Sequence, residues 1–372
     1  MQLNSLTLCN FKNIVEATLD FSDKVNCLIG NNGMGKSNLL DAVYTLSFTK
    51  SFTGVTDAIL IRNGADWATL RGSYTRRDAA EELVMGLQRG KRKSLRRGGK
   101  EYQRLSMHIG SFPLVLVSPQ DIDILRGAGE ERRRWMDMVI SQSDPRYLDA
   151  VIRYNGALEQ RNRLLREGCS DHSLYEAIEA TMEMPAQLIS ATRRRWIEEL
   201  TTLFNDRYRA IAGDEAGSVA LDYRCSLDAS PDGSKAALLD SARRHDEAVR
   251  HTGAGPHRDD IEMSLDGMPV RRTGSQGQCK TFMLALRMAQ YEFLHRSSGL
   301  RPLLLLDDVF DKLDAVRMER IMTMITGDTF GQIFITDTNR QHLDEIVDRA
   351  GDNYRLWQVE SGSFSPIVSA GI

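Results

Sequence analysis

The sequence predicts an α/β fold: a mixed sheet with flanking helices, built from both ends of the chain and interrupted by an all-helical insertion. Three observations predict it. Near the N-terminus an apolar run, Val25 to Ile29, leads through a glycine-rich loop into a helix-like segment, Asn38 to Leu46. Near the C-terminus, RPLLLLDD (Arg301 to Asp308) reads as a strand buried on both faces, as a parallel sheet requires, and it ends in two acids. Between them, from Asp144 to Gly213, apolar residues recur at helical spacing.

The bulk properties fit such a chain. It has 372 residues, 41% hydrophobic and 27% charged, enough for two domains with full cores. A net charge of -3 excludes a uniformly basic coat protein for nucleic acid but leaves room for a local basic surface. The five cysteines are odd in number, widely spaced and free of CxxC pairs, which argues for a reducing compartment and against a disulfide framework or structural zinc. The start, MQLNSLTLCNFKN, lacks a signal-peptide pattern, and the longest apolar run (Leu303 to Leu306) is far short of a membrane span. The expectation is a soluble, cytoplasmic protein with no membrane partner.

The first element, Gly30 to Ser37, is G-x-x-x-x-G-K-S between a strand and a helix. In that setting the backbone N–H groups of Gly30, Asn31, Asn32, Gly33, Met34 and Gly35 wrap phosphates, and the helix N-terminus adds a favourable dipole. Lys36 would reach the β- and γ-phosphates of ATP, and the Ser37 hydroxyl would hold Mg²⁺. Asp307, at the end of the leucine strand, is the expected second Mg²⁺ contact; Asp308 would orient or deprotonate water. Gln332 to Asn339 reads as the next parallel strand, ending in Thr336, Asp337 and Thr338. Asp307 follows Lys36 by about 270 residues, so something large is inserted.

A basic cluster comes next: Arg89, Lys91, Arg92, Lys93, Arg96, Arg97 and Lys100, with no acid until Glu101. Its flanks suggest an antiparallel hairpin. Contact with a DNA backbone and a merely solvated loop are both open for it. The insertion starts at Asp144-Pro145, an N-cap acid and a first-turn proline, and runs to Gly168; a second helical region runs from Asp171 to Gly213, with Pro185 expected to kink or split it. The arginine triplets at 132–134 and 193–195 read as solvated helix faces. A strand over 218–227, a helix over 235–249 and a strand over 260–265 follow. His257-Arg258-Asp259 superficially matches a protein-kinase catalytic loop, but Ser264 stands where Asn is needed, so the run reads as a turn whose charges anchor the head.

GSQGQCKTF (Gly274 to Phe282) completes the set, with a helix expected near Gln278. A phosphate loop, then S-x-G-Q, then LLLLDD about 25 residues on is the order of an ATP-binding-cassette head. In such heads Ser275, Gly277 and Gln278 of one copy close over ATP held by another. Lys312-Leu313-Asp314 matches the loop that crosses that interface. A transporter ATPase has no reason for so large a helical insertion; tethering machines need long heptad repeats that this chain lacks.

The stretches LTLCNFKNI, GNNGMGKSNLLDAVYTLSFTKSF, SPQDI, RRRWMD, GPHRDD, SQGQCKT and LLLLDDVFDKLD together resemble the RecF family of bacterial DNA replication and repair proteins along nearly the whole chain. The resemblance implies a P-loop cassette ATPase head at 1–125 and 251–372, with a helical arm domain inserted at 126–250. It implies a weak ATPase using ATP and Mg²⁺, an ATP-dependent homodimer, and binding to gapped duplex DNA. It also implies work with RecO and RecR to load RecA on single-stranded DNA, hence roles in repair, replication restart and SOS induction. Gln120 in SPQDI would touch Mg²⁺ and water, where the family more often has Glu. Asp41 replaces a Glu. Asp308 is a shorter base than the Glu of many cassette ATPases, which suggests slow hydrolysis suited to a timer. Lys12 and Asn13 would approach the nucleotide.

Overall fold

In a computed structural model of the chain, residues 1–213, 216–229, 235–310, 314–351 and 353–367 are described. They gather into two compact units. The first comprises Met1–Asp121, Ala210–Ala212 and Leu284–Ile372; the second comprises Ile122–Arg209 and Gly213–Met283.

The first unit holds two sheets. In one, the strands run in the order Ser363–Pro366, Tyr354–Glu360, Val25–Ile29, Ile333–Asp337, Leu303–Asp307 and Leu114–Val117. All neighbours are parallel except the first pair. Every residue of the three central strands is buried, which is why they read as continuous apolar runs. The register sets Asp307 opposite Thr336, and Thr336 opposite Leu28, so the three strands end together at one edge.

The other sheet is antiparallel: Ile14–Asp20, Gln2–Phe11, Trp67–Arg76, Ala79–Gln88, Ser94–Arg97 and Lys100–Glu101. One face alternates inward, with Leu83, Met85, Leu87 and Leu95 buried. The expected hairpin is there, and a second follows it. Gly98 and Gly99 have φ of +54° and +79°, the left-handed pair that a two-residue hairpin turn needs. The helix Lys36–Phe48 packs against strands of both sheets, so it is buried nearly all round, with Leu39, Leu40, Val43, Leu46 and Phe48 in the core and Asp41, Thr45 and Ser47 buried beside them.

The second unit is mainly helical: Gly129–Ser143, Pro145–Glu167, the long His172–Ala212 and Lys235–Val249, with a small sheet of Val219–Arg224, Asp260–Leu265 and Met268–Pro269. The caps are those the sequence signals. Asp144 accepts hydrogen bonds from the N–H groups of Arg146 and Tyr147, and Gly168 closes that helix with φ of 67°. Asp171 accepts from Ser173 N–H and Gly213 ends the long helix. Pro185 does not split it: the helix is continuous from His172 to Ala212. Buried Met182, Ala186 and Ile189 around the proline supply packing that outweighs one lost backbone bond.

Two other expectations change. The arginine triplets are not simply solvated faces. Arg132 is buried and grips the Asp260 carboxylate through Nε and NH2 at 2.6 and 3.0 Å. Arg193 is buried between Asp137 (2.8 Å), Asp259 (3.1 Å), the Tyr147 hydroxyl (2.9 Å) and the Pro256 carbonyl (2.7 Å). Only Arg134 and Arg194 make exposed pairs, with Glu130 and Glu131 and with Asp228. The His257-Arg258-Asp259 run anchors this helical unit rather than the head. His257 Nδ1 meets the Tyr154 hydroxyl at 2.7 Å and its Nε2 donates to the Thr252 carbonyl at 2.9 Å, while Asp259 accepts from Arg193 and Ser226 N–H. Among the described residues no helix is long and apolar enough to cross a membrane.

Candidate nucleotide site

The loop from Gly30 to Gly35 joins the buried strand Val25–Ile29 to the helix Lys36–Phe48. Asn31, Asn32 and Gly33 are exposed and Met34 is half-buried. Two glycines are required there for stated reasons. A Cβ on Gly30 would sit 2.4 Å from the Val359 carbonyl oxygen of the neighbouring strand. Gly35 has φ of +114° just ahead of the first helical residue, and a Cβ there would meet the Asn13 side chain at 2.9 Å. The helix thus opens with N–H groups that lack intrahelical acceptors, beside an exposed loop.

The side chains of the motif converge. Lys36 is buried and its ammonium donates to the carbonyls of Gly30 (2.7 Å) and Asn31 (3.1 Å), which points it back over the loop. Ser37 donates to Asp307 Oδ1 at 2.9 Å, joining residues about 270 apart in sequence. Thr336 donates to the same oxygen at 2.7 Å. Asp307 is 6% exposed; among the described residues it is held by hydroxyls and makes no ion pair. Burial pushes its carboxyl above the usual range, against the opposing pull of the Thr336 and Ser37 hydrogen bonds. A buried carboxylate beside a serine hydroxyl, with spare oxygen lone pairs, suits a hard divalent cation such as Mg²⁺.

Asp308 takes up the rare left-handed conformation, φ 47°, and its N–H donates to the Thr336 hydroxyl at 3.1 Å. This strained turn redirects the chain at the strand end. Asp337 is also buried and accepts from Asn339 N–H at 2.8 Å. Gln120 is exposed in a short turn, Pro119–Asp121, that follows the edge strand Leu114–Val117. The turn is held by its neighbour: Asp121 accepts both arms of buried Arg287, at 3.0 and 2.7 Å, and caps Ser118 N–H at 3.2 Å.

The N-terminal NFKN run braces the loop. Asn13 donates to the Met34 carbonyl (3.3 Å) and accepts from Asn38 (2.7 Å). Lys12 pairs with fully buried Asp41 at 2.5 Å, and Asp41 also accepts from Ser51 and Phe52 N–H. Lys12 and Asn13 line a cavity of about 610 Å³ together with Ala58, Ile59, Ile61, Arg62, Asn63 and Arg89. Arg62 and Asn63 carry no sequence signal of a site; the bridge between Phe11 and Ile61, with backbone bonds from Lys12 N–H to the Leu60 carbonyl and from Arg62 N–H to the Asn10 carbonyl, brings their turn there.

In the second unit, Ser275 to Gln278 forms a reciprocal cap. Ser275 N–H donates to Gln278 Oε1 (2.9 Å), and Gln278 N–H donates to Ser275 Oγ (3.2 Å). The helix therefore begins at Gln276, not Gln278, and runs to Ser298. Ser275 is exposed at its tip, and Gly277 stands in the first turn. The S-x-x-Q spacing is itself the sequence signal of such a cap. Lys312 and Leu313 lie outside the described residues; Asp314 caps the helix Ala315–Thr326 by accepting from Arg317 N–H.

A family model for the RecF/RecN/SMC N-terminal domain matches residues 2–363. A curated protein of Parabacteroides distasonis, "DNA replication and repair protein RecF", is 45% identical over 99% of this chain and 100% of its own length. The chain belongs to the RecF family. A solved structure of the recombination mediator protein RecF with ATP, in the RecFOR pathway, superposes with a TM-score of 0.89 at 26% identity, covering 99% of this chain and 98% of that one. The Smc head domain of Pyrococcus furiosus follows at TM-score 0.58 and 18% identity, a likeness of fold. This RecF-family chain thus has the P-loop cassette head of the SMC type, a mixed α/β fold with many helices.

The basic cluster divides once folded. Arg97 is tied to Glu81 and lies 5.5 Å over the Phe112 ring, and Lys93 bonds Asp57 at 2.8 Å and the Thr49 carbonyl. Arg89, Lys91, Arg92, Arg96 and Lys100 remain exposed.

Proposed function

We propose that the chain is an ATP-switched DNA-binding repair protein: it binds ATP with Mg²⁺, dimerises on it, holds gapped duplex DNA and helps load RecA beside RecR and RecO. The observation that carries the nucleotide half is the meeting of Ser37 and Asp307 at 2.9 Å beside the loop that Lys36 overhangs. The DNA half is supported by membership of the RecF family and by the exposed cations of the hairpin.

Ser37 and Asp307 are the residues to hold Mg²⁺, which when bound neutralises phosphate charge. Lys36 exchanges its carbonyl partners for phosphate oxygens. Thr336 fixes the Asp307 carboxylate, and Asp308, aimed by its left-handed backbone, accepts a proton from water that Gln120 helps to place. Thr336, Asp337 and Thr338 take the place at the next strand end where a γ-phosphate sensor belongs. The Arg62 cavity accepts the base and sugar. Ser275 accepts from Gln278 N–H and so keeps its own hydroxyl proton for a phosphate held by a second copy, with Gly277 allowing close approach. A short carboxylate base suits slow hydrolysis that times release.

The test is sedimentation and duplex binding with ATP, with ADP and without nucleotide, for the wild type, Lys36→Met and Ser275→Arg. The reading requires that ATP alone yields a DNA-holding dimer. It also requires that Ser275→Arg binds ATP yet neither dimerises nor holds DNA. A wild type that stays monomeric with ATP and ignores DNA overturns it in favour of a cassette subunit of another assembly, such as a transporter or a tethering complex.

A further inference from the structure

Trp67 is the exposed tryptophan of this chain. Trp135, Trp196 and Trp357 are 3%, 2% and 7% exposed, whereas Trp67 is 48% exposed. It opens the strand Trp67–Arg76 on the face that, with Arg71, points to solvent. The register sets it opposite Gln88, so the next residue, Arg89, lies at the same end of the sheet. Arg89 is fixed there: its N–H donates to the Asp66 carbonyl at 3.0 Å and its Nε to the Ala65 carbonyl at 2.9 Å. Lys91 and Arg92 follow in the exposed turn, and Lys100 is exposed on the outermost strand; the three make no ion pair among the described residues. Arg96 has only a loose 3.7 Å pair with Glu101, both more than half exposed. Against these cations stand Asp66 and Glu101.

The two parts of this patch do different things. Cations on an exposed turn attract any phosphate backbone, paired or not. An exposed indole adds affinity only where a base face is available, and in a closed duplex the faces are covered by neighbouring bases. Aromatic rings set among basic residues are how single strands are held without sequence preference.

We propose that Trp67 is a stacking platform for an unpaired base, with the exposed cations of the hairpin holding the backbone nearby, so that this end of the sheet holds the single-stranded part of a gapped substrate. This rests on the DNA-binding reading above and adds to it the residue that stacks on the unpaired base.

The experiment titrates the full chain with ATP against a labelled blunt duplex and against the same duplex bearing a single-stranded tail. The proteins are wild type, Trp67→Ala, Trp67→Phe and the double variant Lys91→Ala with Arg92→Ala. Trp67→Ala should weaken binding to the tailed substrate about tenfold and leave the blunt duplex within about twofold; Trp67→Phe should recover most of the loss. The lysine–arginine double variant should weaken both substrates alike and flatten the salt dependence. Wild-type tryptophan emission should be quenched by the tailed substrate, and that quenching should vanish in Trp67→Phe. Equal losses on both substrates, or no loss on either, for Trp67→Ala would overturn the platform while leaving DNA binding intact. A wild type that binds neither substrate overturns the DNA reading and the platform together.

Discussion

Buried carboxylates occur at the phosphate loop and in the helical unit, and they are treated in opposite ways. In the helical unit Arg161, fully buried, bonds Glu179 at 2.8 Å and Asp246 at 2.7 Å, with Thr252 completing the set. Asp259 likewise faces Arg193. At the loop, Asp307 hydrogen-bonds the hydroxyls of Ser37 and Thr336 and makes no ion pair among the described residues, and burial shifts its carboxyl up. A charge neutralised in place holds a fold together; a charge kept short of a cation is held ready for one. Even within the first unit the contrast holds, since Asp41 has Lys12 and Asp121 has Arg287.

The largest effect expected from this contrast comes from breaking a satisfied network. Arg161→Met leaves buried Asp246 without its cation and Glu179 with the longer 3.3 Å pair to Arg243, and should lower unfolding stability by about 3–5 kcal/mol, read from denaturant melts. Next comes a group whose neutral form is the buried one. Burial pushes His108 down to about 4, against the pull of the Leu46 carbonyl that its Nε2 meets at 2.7 Å. Its folded value lies below the unfolded 6.5, so protonation favours unfolding. The contribution is complete above pH 6.5 and is lost as pH falls toward 4, up to about 3 kcal/mol. His108→Phe, stacked on Phe112, should flatten stability over that pH range; an unchanged slope would show that another group titrates.

Asp307→Asn tests the other side. Removing a buried charge that has no ion pair among the described residues should raise the stability of the nucleotide-free protein by about 1 kcal/mol while abolishing ATP-dependent dimerisation. A loss of stability would mean that Asp307 is structural, like Asp246. Gln278→Ala opens the reciprocal cap and should cost about 1 kcal/mol, whereas Gln278→Glu, able to accept the same Ser275 N–H bond, should stay near wild type. Smallest of all, Arg134→Ala removes exposed pairs to Glu130 and Glu131 and should change stability by no more than about 0.5 kcal/mol.

The sequence by itself determined the elements that local chemistry writes down. Val25–Ile29 and Leu303–Asp307 are legible because burial on both faces demands an unbroken apolar run. Gly30, Gly35, Lys36 and Ser37 are legible because wrapping a phosphate needs small residues and a fixed spacing. Asp144, Gly168, Asp171 and Gly213 mark helix ends through bonds to their own neighbours. Tertiary structure alone decided which arginines are solvated and which are buried. Arg132 and Arg193 look the same as Arg134 and Arg194 in a triplet, and partners brought in from far along the chain, Asp260 and Asp259 among them, separate them. It also decided that Arg62 would join Lys12 in one cavity and that Pro185 would be carried through a helix. Periodicity and capping act over a few residues, so a sequence shows them directly; charge compensation and cavities depend on groups brought together by the fold.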